Sequence, residues 1–276
     1  MTMSWLESII LGLISGISEF LPISSSAHQQ ILINLFGITN QDPVRDFFIH
    51  SAMFAAVLLN CRSFLDHVKR EKALMHRHRG TAIQNLRALS DWRVIHGSIL
   101  PLLLPMLLLR FLLKTDDNLM LTVLFLTING IILFLPDRMV SGNKDAHFMS
   151  AFDSVLIGLA GALSAFSGIS RIACTYSVSL TRGVARKHAF TWSLVLSIYA
   201  IALLCALDIG AIFTTGLLGF WGNLHLYVFS AIASFIGSYA GIYFMRNLSA
   251  RPNSSGFAYY CWGAALFTFI LYLTVN

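Results

Sequence analysis

The sequence predicts an all-α integral membrane protein with an inverted-topology repeat. Each of its two halves is a re-entrant helix hairpin followed by three transmembrane helices. Three observations predict this. The 276 residues are 56% hydrophobic and 12% charged, with a mean hydropathy of +0.71, whereas a soluble domain carries about 25% charged residues. Six segments approach the ~20 mostly apolar residues that a membrane helix needs. Residues 12–28 also align without a gap on residues 158–174, at an offset of 146.

The first half is 1–140. Its hairpin, 4–34, begins as an apolar run at Trp5 and is interrupted by "SEFLPISSSAH", which holds Glu19, Pro22, Ser24, Ser25, Ser26 and His28. Such backbone is tolerated at membrane depth only where protein or a wet cavity surrounds it. No basic stretch precedes Trp5, so a cleaved signal peptide is not expected. Spans follow at 46–62, 95–114 and 118–136, with a basic loop at 63–94 between the first two. The second half, 141–276, repeats the order: a hairpin at 152–180, interrupted by "SGISRIACT", then spans at 188–209, 224–245 and 257–275.

Charge orients the map. Arg62, Lys69, Arg70, Lys72, Arg77, Arg79, Arg87 and Arg93 place the first long loop in the cytoplasm. Threading from it leaves fifteen of the nineteen Lys and Arg inside, with Arg45 and Lys114 outside and Arg110 and Arg171 within membrane segments. This holds only if each hairpin returns to the side it entered from. The net charge of +6 therefore reads as basic cytoplasmic loops, and nucleic acid is not an expected partner. Cys61, Cys174, Cys205 and Cys261 have no CxxC spacing and read as small packed residues.

In the repeat alignment seven of seventeen positions are identical: Gly12/Gly158, Leu13/Leu159, Ser18/Ser164, Phe20/Phe166, Ile23/Ile169, Ser24/Ser170 and Ala27/Ala173. Pro22 and Gly168 share a position and are expected to break the two helices, with Ser24 and Ser170 as N-caps of the helices that restart. Two helix N-termini would then meet near the midplane, where an anion is favoured.

Arg171 stands opposite Ser25 in this alignment. A charge at the centre of a membrane helix costs about 2.5–3.5 kcal/mol on insertion scales, so a partner is required. A structural ion pair with Glu19 is one reading. A phosphate site built on the planar guanidinium is the other. Glu19 reads as the partner of Arg171, as a general base or as a metal ligand. The serines read as caps, or as hydroxyls that bind or attack phosphate. His28, one turn after Ser24, reads as a packing residue or a proton shuttle. Asp46, His50 and Asp208, in or beside spans, read as supporting or interfacial residues.

"SEFLPISSSAH" and "SGISRIACT" resemble the two signature motifs of the undecaprenyl pyrophosphate phosphatase family, the bacitracin-resistance phosphatases, and the resemblance extends over essentially the whole chain. It implies an enzyme of the bacterial inner membrane that removes the terminal phosphate of a C55 polyprenyl pyrophosphate and recycles the lipid carrier for cell-wall synthesis. It implies catalytic roles for Glu19, Ser25, His28 and Arg171, and substrate binding by Ser24, Ser26, Ser170, Arg171 and Thr175. It also implies a divalent cation, Mg²⁺ or Ca²⁺, with Glu19 as its candidate ligand, and a site open to the periplasmic side. The chain departs from the family pattern at Ser15, where an acid is usual, and at Ala27, Ser167 and Ile172. A polyprenyl-phosphate carrier, or a lipid-binding homologue that does no chemistry, would use the same midplane anion site.

Overall fold

A computed structural model describes residues 3–38, 42–77, 82–112, 118–138, 142–144, 148–216, 220–249, 251 and 255–275. Among these residues there are ten α-helices and no strand. α1 (Trp5–Phe20) starts at Ser4, whose hydroxyl accepts from the Glu7 N–H while the Glu7 carboxylate accepts from the Ser4 N–H, a reciprocal cap. α2 (Ser25–Leu35), α3 (Pro43–Arg77), α4 (Ala82–Leu112) and α5 (Leu119–Phe134) follow. α6 (Ala151–Ala162), α7 (Arg171–Thr181), α8 (Arg186–Thr215), α9 (Phe220–Leu248) and α10 (Ser255–Val275) complete the chain.

Six helical segments are long and apolar enough to cross a membrane, and each contains or nearly coincides with one predicted span. α1 and α6 are short helices that stop at the predicted breaks. The expected loop at 63–94 needs correction. α3 continues to Arg77 and α4 already begins at Ala82, so the basic segment is largely two helical extensions. Charged residues at helical spacing are helix-compatible, and a hydropathy reading ends a helix where its apolar stripe ends. Residues 78–81 and Lys114 lie outside the described residues.

The helices pack crosswise between the halves. α1 lies against α9 and α6 against α4, while α3 faces α8 and α5 faces α10. Small residues make the first contact close. A Cβ on Gly12 would sit 2.2 Å from the Ser230 carbonyl oxygen, one on Gly16 2.2 Å from that of Ser234, and one on Gly237 2.4 Å from that of Leu13. Such contact between backbones needs glycine and serine, and in a bilayer it supplies much of the association energy. The second contact follows the same chemistry. Gly158 meets the Ser98 carbonyl, and the Ser98 hydroxyl donates to the Ser154 carbonyl at 2.8 Å. Outward faces are apolar: Leu100, Leu104, Leu108 and Phe111 on α4, and Ile232, Ile236, Tyr239 and Tyr243 on α9, are all exposed. That spacing forms a stripe suited to acyl chains.

Candidate active site

Two interrupted helices build the site. α1 ends because Leu21 turns extended ahead of Pro22, which has no N–H to continue the ladder. α2 restarts from Ser24, the one non-glycine residue with positive φ among the described residues (φ +70°). In the second hairpin α6 runs into a 3₁₀ turn, Leu163–Ala165, and the chain bends at Gly168 (φ +109°) before Ser170 caps α7. A Cβ on Gly168 would lie 2.7 Å from the Phe125 Cβ and 2.9 Å from the Leu126 nitrogen, so both the φ and the space require glycine.

The two breaks touch. The Gly168 N–H donates to the Ser24 hydroxyl at 3.1 Å, and the Ser170 hydroxyl donates to the Leu21 carbonyl at 3.3 Å. Asn129, fully buried on α5, joins them. Its Oδ1 accepts from the Ser170 N–H at 2.9 Å and its Nδ2 donates to the Pro22 carbonyl at 3.0 Å. Sequence reasoning missed Asn129. The available signal was a lone amide inside the apolar run of α5, since a polar group in a membrane span needs a reason to be there.

Below this junction lies a cavity of about 480 Å³. Glu19, Ser25, Ser26, Ser170 and Arg171, all expected from the sequence, line it together. The Arg171 guanidinium, 4% exposed, is paired with the Glu19 carboxylate and donates through Nε to the Ser197 hydroxyl at 3.2 Å. The Ser25 hydroxyl donates to the Ser15 carbonyl at 3.0 Å, and Ser26 lies 3.2 Å from the Ser24 hydroxyl. Ser24 itself acts as the cap and the link between the breaks. Thr175 does not line the cavity. It is buried one turn beyond Arg171, donating to the Arg171 carbonyl at 2.8 Å and lying 2.7 Å from the Ser193 hydroxyl.

His28 is not brought to Glu19. Its Nδ1 lies 2.7 Å from the Ser24 carbonyl, so Nδ1 carries the proton, and in the neutral ring Nε2 accepts from the Tyr260 hydroxyl at 2.8 Å. The ring faces a second, mostly apolar cavity of about 520 Å³, on the other side of the junction, with Leu21, Ile23, Phe244 and Phe257. The physical reason is helical phase. Ser26, Gln29, Gln30 and Ile33 of α2 face the first cavity, and His28, two residues after Ser26, falls on the opposite face, turned toward Tyr260 of α10.

The first cavity holds further charge that the sequence analysis placed in support or left without a role. Arg45, Asp46 and His50 enter from α3, Arg110 from α4 and Asp208 from α8. Arg45 pairs with Asp46 at 3.0 Å, and His50 Nδ1 meets the Asp208 carboxylate at 2.7 Å across α3 and α8. Arg110 Nε and Gln30 Nε2 are buried donors on this wall with no acceptor among the described residues.

The donor set does not fit a divalent cation held by the protein. Among the described residues no three His, Cys, Asp or Glu side chains converge as metal ligands. Glu19 is already engaged by Arg171. The position four residues earlier offers only the buried Ser15, whose hydroxyl has no partner among the described residues. Hard cations want several oxygens, carboxylates among them.

The model of a protein family described as bacitracin resistance protein BacA matches residues 8–267. Among curated relatives, the chain is 32% identical to undecaprenyl-diphosphatase 1 of Shouchella clausii, over 97% of this chain and 96% of the relative. It is 30% identical to an undecaprenyl-diphosphatase of Methanobrevibacter smithii, over 97% of this chain and 98% of the relative. It is also 32% identical to undecaprenyl-diphosphatase 2 of Halalkalibacterium halodurans, over 98% and 97%.

Proposed function

The chain belongs to the BacA bacitracin-resistance family, and from that premise we propose how its cavity performs the family's reaction. It is a membrane undecaprenyl pyrophosphate phosphatase, which releases the terminal phosphate and leaves the monophosphate lipid. The observation that carries the mechanism is the buried Arg171–Glu19 pair, set where the N-termini of α2 and α7 meet. Free N–H groups and a guanidinium converge there on one polar space, a field already in place for the charge on a transferring phosphoryl group. Arg171 holds the pyrophosphate, with Ser26 and Ser170 beside it. Arg110 Nε and Gln30 Nε2 gain the acceptors they lack. As phosphate draws Arg171 toward itself, Glu19 is released to take the proton of the attacking hydroxyl, which is water or Ser25. His28 positions Ser24, holding the carbonyl of a residue in an unfavourable φ. The polyprenyl tail lies between helices in the bilayer. No step is assigned to a protein-held cation.

The inverted repeat is part of this proposal. Gly12 and Gly158 share a repeat position, and each makes the equivalent contact. A Cβ on Gly12 would sit 2.2 Å from the Ser230 carbonyl oxygen of α9, and one on Gly158 2.3 Å from the Ser98 carbonyl oxygen of α4. The crosswise pairing of α1 with α9 and α6 with α4 supports the halves 1–140 and 141–276. The orientation is likewise proposed. The cavity is walled by the start of α3 and the ends of α4 and α8, the helix ends remote from the basic segment, so it faces the periplasm by the positive-inside rule. Cavities on both sides of the junction also suit a carrier, the second reading.

The test is phosphate release from undecaprenyl pyrophosphate by the detergent-purified protein. Wild type is expected to release phosphate, and Arg171→Ala and Glu19→Gln to lower kcat/KM by about 10²–10³-fold, the scale of losing one charge-stabilising group. No release by wild type favours the carrier.

A further inference from the structure

Three carboxylates line the first cavity, and two are held by guanidinium groups: Glu19 by Arg171 and Asp46 by Arg45. Among the described residues, Asp208 alone of the three is paired with a titratable group, His50. The pair is short at 2.7 Å, joins α3 to α8, and is mostly buried, with side-chain exposures of 14% and 16%. Asp208 takes up Nδ1, which must carry a proton to bond a carboxylate. Nε2 is then on the ring edge turned away from Asp208. A carboxylate behind an imidazole fixes its orientation and stabilises its cationic form.

We infer that His50, oriented by Asp208, is the general acid of the hydrolysis. This rests on the phosphatase reading above. The oxygen of the attacking water forms a bond to the terminal phosphorus; where Ser25 attacks instead, a second step has water form the bond to phosphorus while the phosphorus–serine oxygen bond breaks and the serine hydroxyl is restored. The bond from that phosphorus to the bridging oxygen breaks, with its electron pair going to the bridging oxygen. The Nε2 proton of His50 is delivered to that oxygen, so the lipid monophosphate leaves with less charge. Glu19 takes the proton of the nucleophile. Water is consumed, and His50 and Glu19 recover their starting states by exchange with solvent through the cavity. Proton donors and acceptors are separated in space. Glu19 is paired with Arg171 at the α7 N-terminus, and His50 lines the same cavity from α3.

The charged groups that share the cavity with His50 are Arg45 and Asp46 on its own helix, Asp208 on α8, Glu19 on α1, Arg171 on α7 and Arg110 on α4. Asp208 bonds the ring directly, and Asp46 and Glu19 line the same cavity. An acid must be protonated, so kcat falls as pH rises through the His50 titration.

The experiment is the pH profile of phosphate release from undecaprenyl pyrophosphate for wild type, His50→Gln and Asp208→Asn. His50→Gln is expected to lower kcat by about 10²-fold with KM within roughly threefold, and to abolish the alkaline limb. Asp208→Asn keeps an acceptor for Nδ1 but removes the charge, so the alkaline limb moves down by about one pH unit or more. A His50→Gln enzyme with kcat within about threefold of wild type, or one that keeps the alkaline limb, overturns the assignment. If His50→Gln does not fold, Asp208→Asn decides, and an unmoved alkaline limb overturns it. An inactive wild type would instead overturn the phosphatase reading itself.

Discussion

Arg171 can be placed from sequence because a guanidinium inside an apolar segment must be answered by something, and Glu19 was the available acid. Ser24 and Ser170 were equally legible, as hydroxyls just past a helix break. His28 was not. Its spacing from Ser24 says that both lie on adjacent turns, but not which side of the junction the ring faces. That depends on Tyr260, 232 residues away, and on the phase of α2. The structure therefore makes a residue-level prediction that differs from the family expectation. A general acid or base is worth about 10²–10⁴-fold in rate. His28→Gln, which removes the ring's hold on the Ser24 carbonyl and on Tyr260, is expected to lower kcat by less than about tenfold. A steady-state assay checks it, and a loss beyond 10²-fold would return His28 to the chemistry.

At the scale of elements, hydropathy located the six spans, and the internal repeat located the two breaks. What these signals could not convey is which helix lies against which. Gly12, Gly16, Gly237 and Gly241 stand in two runs of small residues more than 200 positions apart, and nothing local says that they meet. Asn129 was hidden for a related reason. Its two partners, Pro22 and Ser170, come from different hairpins, so its function exists only after assembly. Asn129→Leu leaves the buried Ser170 N–H without its acceptor, at about 1–3 kcal/mol, and leaves the Pro22 carbonyl with only the long Cys261 thiol contact. Gly12→Leu forces α1 away from α9 and is expected to cost at least as much. Thermal unfolding in detergent should show both variants well below wild type. Gly210→Ala, where an added Cβ meets nothing within 4 Å, should match it. Equal melting of all three would show that the close contact and the amide clamp contribute little.

For the whole molecule, the basic segment and the cavity lie at opposite ends of the spans, and the predicted topology is tested by reagent access. Gly222, at the start of α9, is exposed with open space around it, and Arg251, beyond the end of α9, is exposed. In intact cells a membrane-impermeant thiol reagent is expected to label a cysteine introduced as Gly222→Cys and to spare one introduced as Arg251→Cys. Three of the four native cysteines are buried, so background labelling is low. The reverse pattern would turn the cavity toward the cytoplasm.

The contact between α1 and α9 carries a consequence for how the protein is made. α1 leaves the ribosome well before its neighbour, Phe220–Leu248. At ~5–20 residues per second, roughly 10–40 s of synthesis separate them. Through most of that interval Glu19 has entered the bilayer region without Arg171, and throughout it the glycine face of α1 has no partner. The nascent first half must therefore wait with an unpaired acid and an unfilled groove. The second half answers the acid first, at Arg171, and fills the groove only when α9 follows, so the charge pair of the site can form before the helix packing that closes the fold around it.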